Sequence, residues 1–211
     1  MKKNIIFDLD GTLIDSMPVW NNVSRDFLLN HGITPPDNLD EIFKSMSFEE
    51  SAKYFKNELG LQITPQQMIA EIVSMVKTRY ETDIPLKPKA YEFLQEQYNK
   101  GTKMCILTAS EKDYVLPALK RLNIHKFFTD VYTCTQLGMS KSKSDIYDFV
   151  AKKMGANKAE TAVFEDALHA VINAKAAGFY TVAIEDEAAK NDKEKIKSTA
   201  DLYAVNYVEL I

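Results

Sequence analysis

Two carboxylates stand one residue apart near the start of the chain, in Phe7-Asp8-Leu9-Asp10-Gly11-Thr12. Acids this close repel each other and coexist if they share a cation or if one keeps its proton. A second acidic pair, Glu165-Asp166, closes the run Thr161-Ala162-Val163-Phe164. A carboxylate such as Asp8 can attack phosphorus to give an aspartyl-phosphate. A phosphate dianion repels that attack, and a divalent cation bridging the two removes the repulsion. Glu165 and Asp166 offer hard oxygen ligands suited to Mg²⁺, although acids also gather at helix N-termini, where the dipole favours them. Asp10 is the candidate general acid and base, protonating a leaving oxygen and then taking a proton from water. The Thr108 hydroxyl and the N–H groups of Ala109 and Ser110 could hold phosphoryl oxygens. Thr108 would serve equally as a helix N-cap. Lys141 or Lys143 would balance the negative charge, the plainer reading being a solvated lysine pair, which is preferred for Lys143.

These residues need a scaffold that brings strand ends together. Asn4-Ile5-Ile6-Phe7 reads as a buried strand, and Gly11 ends it by permitting backbone angles that other residues resist. Asp8 and Asp10 then lie at the carboxyl end of a strand, the edge where open α/β sheets bind ligands. From Asp15 to about Asp83 no strand is expected. Helices are predicted there from Ser16 to His31, over Leu39–Lys44, from Ser47 (with Glu50 as a capping box) to about Leu59, and from Thr64-Pro65 to about Glu81. Strand and helix then alternate. Strands are predicted at 104–107, 131–133, 161–164 and 180–184, with a short edge strand at 202–205. Helices are predicted at 89–100, 113–122, 145–154, 167–177 and 190–198. Such alternation implies a parallel Rossmann-like sheet with helices on both faces. The helical segment interrupts it directly after the first strand, so it is expected to form a small all-helical cap over Asp8 and Asp10. The expected domains are 1–14 with 84–211 for the α/β core and 15–83 for the cap.

Composition narrows the function classes. The 211 residues carry a net charge of −4, with 45% hydrophobic and 27% charged residues, an ordinary globular balance. No basic block points to nucleic acid, and no apolar run nears the ~20 residues of a membrane span. Met1-Lys2-Lys3 is basic, but the apolar stretch after it breaks at Asp8, so no secretory leader is expected. Cys105 and Cys134 form no Cys-x-x-Cys and are expected to be reduced thiols in a cytoplasmic protein. A monomer is expected.

The string Asp8-Leu9-Asp10-Gly11-Thr12 resembles motif one of the haloacid dehalogenase-like hydrolase superfamily. Motif two is seen in Ile106-Leu107-Thr108-Ala109-Ser110. Motif three resembles Lys141-Ser142-Lys143-Ser144-Asp145-Ile146-Tyr147, in which Lys141 matches the family lysine. Motif four resembles Val163-Phe164-Glu165-Asp166-Ala167, followed by Ala174-Lys175-Ala176-Ala177-Gly178. The helical insertion is similar to that of the β-phosphoglucomutase and phosphoglycolate phosphatase branch. The resemblance implies that Asp8 is nucleophile and metal ligand, and that Asp10 is acid and base and lends a backbone carbonyl to Mg²⁺. It implies that Glu165 and Asp166 complete the metal site, with Asp166 the surer ligand. The sequence departs from the family at Ala167, at Ala170, at Ser142 and Ser144 in place of the two prolines of motif three, and at Lys89. The reading is a Mg²⁺-dependent phosphatase of a small phosphorylated metabolite. A sugar-phosphate mutase or a non-catalytic binder of a phosphorylated ligand are the alternatives. In the mutases a cap loop carries an arginine for a second phosphate. Here that loop falls near Lys44 and Ser47, and the matching residue is Phe48, which weakens the mutase reading.

Overall fold

A computed structural model describes residues 2–39, 42, 46 and 48–211, without the side chains of Phe48 and Glu49. The helix expected over Leu39–Lys44, the Ser47 capping box and the cap loop at Lys44, Ser47 and Phe48 therefore fall largely outside the described residues. The strands are β1 (Asn4–Phe7), β2 (Lys103–Thr108), β3 (Asp130–Thr133), β4 (Thr161–Glu165), β5 (Tyr180–Ile184) and β6 (Leu202–Ala204). The α-helices are α1 (Met17–Asn30), α2 (Phe48–Asn57), α3 (Pro65–Thr82), α4 (Ala90–Asn99), α5 (Lys112–Arg121), α6 (Cys134–Leu137), α7 (Asp145–Lys153), α8 (Leu168–Ala176) and α9 (Lys193–Thr199). The polar helix expected at 190–198 begins instead as a 3₁₀ turn, Glu187–Asp192, with the Asp186 side chain accepting from the Ala188 N–H, and becomes α-helical only at α9. The short α6 was not foreseen. The Thr133 hydroxyl caps it and Gly138 ends it in a left-handed conformation, and Cys134 and Leu137 pack against the core, so one turn of helix is held by its caps and by that packing.

All six strands are parallel, in the order β3-β2-β1-β4-β5-β6. Parallel strands are buried on both faces, which is why β1 and β4 read as unbroken apolar runs. Neighbouring residues on a strand face opposite sides. On one side Ile6, Cys105, Leu107 and Val163 pack with Ile146, Tyr147 and Val150 of α7, Ala174 of α8 and Phe179. On the other side the Phe7 ring lies 4.8 Å from Phe164 and 6.3 Å from Phe93 of α4, and Phe93 lies 5.1 Å from Tyr207. The chain winds outward from β1 to β3 and then crosses to β4, so the direction of winding reverses between β1 and β4. A crevice opens outside the carboxyl ends of the strands at such a reversal.

The chain divides into two compact units, Met1–Met17 with Tyr80–Ile211, and Pro18–Arg79. In the larger unit the departing and returning segments are tied by Asp15 N–H to Pro85 O and Lys87 N–H to Leu13 O, both 2.9 Å, around an antiparallel bridge between Ile14 and Leu86. In the inserted unit, Val19, Val23, Phe27 and Leu28 of α1 are buried, as are Phe55 of α2 and Met68, Ile72 and Val76 of α3. Phe27 stacks on Phe55 at 5.5 Å. Helix α3 opens with a reciprocal cap: the Thr64 hydroxyl accepts from the Gln67 N–H and the Gln67 side chain accepts from the Thr64 N–H.

Candidate active site

The ladder continues one step beyond β1, where the Asp8 N–H donates to Phe164 O at 2.9 Å. Because Phe7 is in register with Phe164, that step sets Asp8 beside Glu165 and Asp166. One carboxylate oxygen from each of Asp8, Glu165 and Asp166 lies within 4.8 Å of the other two, and all three residues are buried. Lys141 enters from the loop before α7. Its ammonium donates to Asp8 Oδ1 and, at 2.8 Å, to Glu165 Oε1. Of the two lysines weighed, Lys141 is buried in the cluster and Lys143 is exposed. Tyr147, fully buried, offers its hydroxyl to Glu165 at 3.4 Å and to Ala170 O at 3.2 Å. Asn173 of α8 holds the Lys141 loop through a bond to Lys141 O.

Charge in this pocket exceeds what one lysine can neutralise. Burial, with Glu165 and Asp10 nearby and Lys141 opposing, pushes the Asp8 carboxyl up from 3.8 to about 7. Burial, then Asp8, Glu165 and Asp186, push Asp166 well above the carboxylate range against a bond from the Thr12 hydroxyl at 3.0 Å. Burial works against the charge on Lys141, but Asp8 and Glu165 outweigh it and push the ammonium well above its ordinary range. A cluster of buried carboxylate oxygens that burial and repulsion drive toward protonation fits a hard divalent cation, whose charge would remove the conflict. Asp8, Glu165 and Asp166 each offer a carboxylate oxygen that could hold such a cation. Asp186, beside this cluster, is itself neutralised by buried Lys87 at 2.6 Å.

Gly11 makes the approach possible. Its φ is +78°, and a Cβ there would sit 2.4 Å from Asp166 Oδ2. Both the left-handed backbone and the lack of room demand glycine.

Asp10 is surrounded by hydroxyls. Oδ1 accepts from Ser16 at 2.7 Å and from the Tyr80 phenol, and Oδ2 accepts from Thr108 at 3.2 Å and Ser110 at 2.7 Å. Thr108 does not cap the following helix: its oxygen accepts from the Ser110 N–H at 3.0 Å, and Glu111 stands at the N-cap of α5 without a side-chain bond. Ser16, one of two residues (with Asp15) that could cap α1, donates to Asp10. Ala109 is exposed between Thr108 and Ser110. Tyr80, Asn173 and the Lys87–Asp186 pair had no motif to announce them; Tyr147 closes the motif-three string, but no role was read for its hydroxyl. Tyr80 lies in a stretch that reads only as a helical face, and nothing local marks it as a partner of Asp10, 70 residues away.

The model of the haloacid dehalogenase-like hydrolase family matches residues 5–184. The chain belongs to the haloacid dehalogenase-like hydrolases. This family member is 25% identical over 193 residues to hexitol phosphatase B of Escherichia coli K12, covering 89% of this chain and 85% of that one. It is 23% identical over 174 residues to the phosphorylated carbohydrates phosphatase of Thermotoga maritima, covering 82% and 81%. Among solved structures it is similar in fold to β-phosphoglucomutase from Clostridium difficile, with a TM-score of 0.70, 21% identity, and 100% and 94% of the two chains covered. Among the described residues, no helix is long and apolar enough to cross a membrane. Cys105 and Cys134 are free thiols.

Proposed function

We propose that this hydrolase cleaves the phosphoric monoester of a small phosphorylated metabolite through an aspartyl-phosphate on Asp8. The observation that carries the reading is Lys141 bridging Asp8 and Glu165 with Asp166 close by, at the reversal of the sheet. Asp8 attacks phosphorus, and the bond from phosphorus to the leaving oxygen breaks. Asp10 gives that oxygen its proton. Water then attacks the same phosphorus, Asp10 takes its proton, and the bond to Asp8 breaks to release phosphate. Lys141 offsets charge on Asp8 and on the incoming phosphoryl oxygens. Thr108, with the N–H groups of Ala109 and Ser110, receives those oxygens, the Ser110 N–H leaving the Thr108 hydroxyl to do so. Mg²⁺, held by Asp8, Asp166, Glu165 and the Asp10 carbonyl, would neutralise the dianion as the carboxylate approaches it. The names of the relatives, a hexitol phosphatase and a phosphorylated carbohydrates phosphatase, support a phosphorylated sugar or polyol as substrate.

The test is phosphate release from a panel of hexose, pentose and hexitol phosphates, phosphoglycolate and nucleoside monophosphates, with and without Mg²⁺, alongside Asp8→Asn. Mg²⁺-dependent release from a few compounds, abolished by Asp8→Asn, is expected. Release that survives Asp8→Asn, or none from the folded Mg²⁺-loaded protein, would overturn the reading.

A further inference from the structure

We infer that Tyr80 is a positioning residue for Asp10: with Ser16 it anchors Oδ1, so that Oδ2 is the oxygen that gives and takes the proton. The inference rests on the phosphohydrolase reading above. The two oxygens of a carboxyl group offer about four acceptor sites, and four hydroxyls contact those of Asp10, two on each oxygen. The pairs differ in origin. Thr108 and Ser110, on Oδ2, end β2 in the loop assigned to phosphoryl oxygens. A phosphate drawing those hydroxyls to itself frees Oδ2. Ser16 and Tyr80, on Oδ1, belong to the segments before α1 and at the end of α3, so a phosphate in that loop leaves them in place.

Tyr80 is built to stay put. Its side chain is completely buried. Its ring meets Tyr114 of α5 edge-on at 4.8 Å, and its hydroxyl lies 3.4 Å from Ser110 Oγ. Its backbone is clamped from the last turn of α5: Arg121 Nε donates to Tyr80 O at 3.1 Å and Nη2 to Ile84 O at 2.5 Å. Fixing one oxygen of a carboxylate fixes the direction of the other, and orientation is what proton transfer in the transition state requires.

The readout is dependence on the leaving group. An alkoxide needs a proton as it departs, whereas 4-nitrophenolate does not. kcat/KM, which reports steps up to aspartyl-phosphate formation, is measured for 4-nitrophenyl phosphate and for the fastest hexose or hexitol phosphate of the panel. Tyr80→Phe, which removes only the hydroxyl, is expected to lower kcat/KM about tenfold or more for the alkyl phosphate and less than about threefold for the aryl one. Arg121→Gln, at an exposed side chain, is expected to show the same split more weakly, and carries the test if Tyr80→Phe does not fold. Equal losses on both substrates, or none, would overturn the inference while an inactive Asp8→Asn leaves the phosphohydrolase reading standing. A wild type inactive on both substrates, or an active Asp8→Asn, would overturn both.

Discussion

Lys141 is the only ammonium bonded to both Asp8 and Glu165 among the described residues. Removing one member of a buried ion pair strands its partners, at a cost of about 3 kcal/mol. Lys141→Met is therefore expected to lower the denaturation midpoint and to cut turnover by about a hundredfold or more. Chemical denaturation and initial rates check the two effects separately. The raised carboxyls make a second prediction. Asp8 rises from 3.8 to about 7, and Asp166 moves in the same direction. The folded chain therefore holds these protons in a range where the unfolded chain has lost them. Their contribution is fully present below pH 3.8 and is lost as pH rises toward 7. Thermal melts of metal-free protein should show this decline between pH 4 and 7. Added Mg²⁺ should stabilise more at pH 7.5 than at pH 5, because ligands bind metal deprotonated. An equal shift at both pH values would count against the carboxylate cluster as the metal site.

At the scale of elements, the site depends on what happens just past the ends of β1 and β4. Gly11→Ala forces a side chain into a left-handed backbone, at about 1 kcal/mol, and into the Asp166 carboxylate. The expected result is a protein that still folds but needs a higher Mg²⁺ concentration for half-maximal activity. A Mg²⁺ titration of turnover checks it, and an unchanged midpoint would show that Asp166 has room to move. The strands were legible because parallel strands buried on both faces leave continuous apolar runs. The acids were legible because they interrupt those runs. The hydroxyls on Asp10 were not, because Ser16 and Thr108 sit where serine and threonine also cap helices. Only the contact of Tyr80 with Tyr114 and with Asp10 shows where the fourth hydroxyl comes from.

The chain divides into two compact units, the inserted one of about sixty residues, a size at which buried area is marginal for stability. Trp20, the single tryptophan, lies in that unit, so its fluorescence reports there while far-UV circular dichroism reports the whole. In urea the Trp20 transition is expected at lower denaturant than the dichroism transition, and coincident curves would mean that the units unfold as one. By itself the sequence determined the α/β alternation, the helical insertion after β1 and the acids and lysine whose types suit phosphoryl transfer, because periodicity and motif spacing are properties of neighbouring residues. The tertiary structure alone decided the strand order β3-β2-β1-β4-β5-β6, and so which strand ends meet. It decided that Lys141 rather than Lys143 joins Asp8 and Glu165, and that Tyr80 and Ser16 share one oxygen of Asp10. The strand pairings join residues up to 157 apart, the Lys141–Asp8 bond residues 133 apart and the Tyr80–Asp10 bond residues 70 apart, separations that no local pattern encodes.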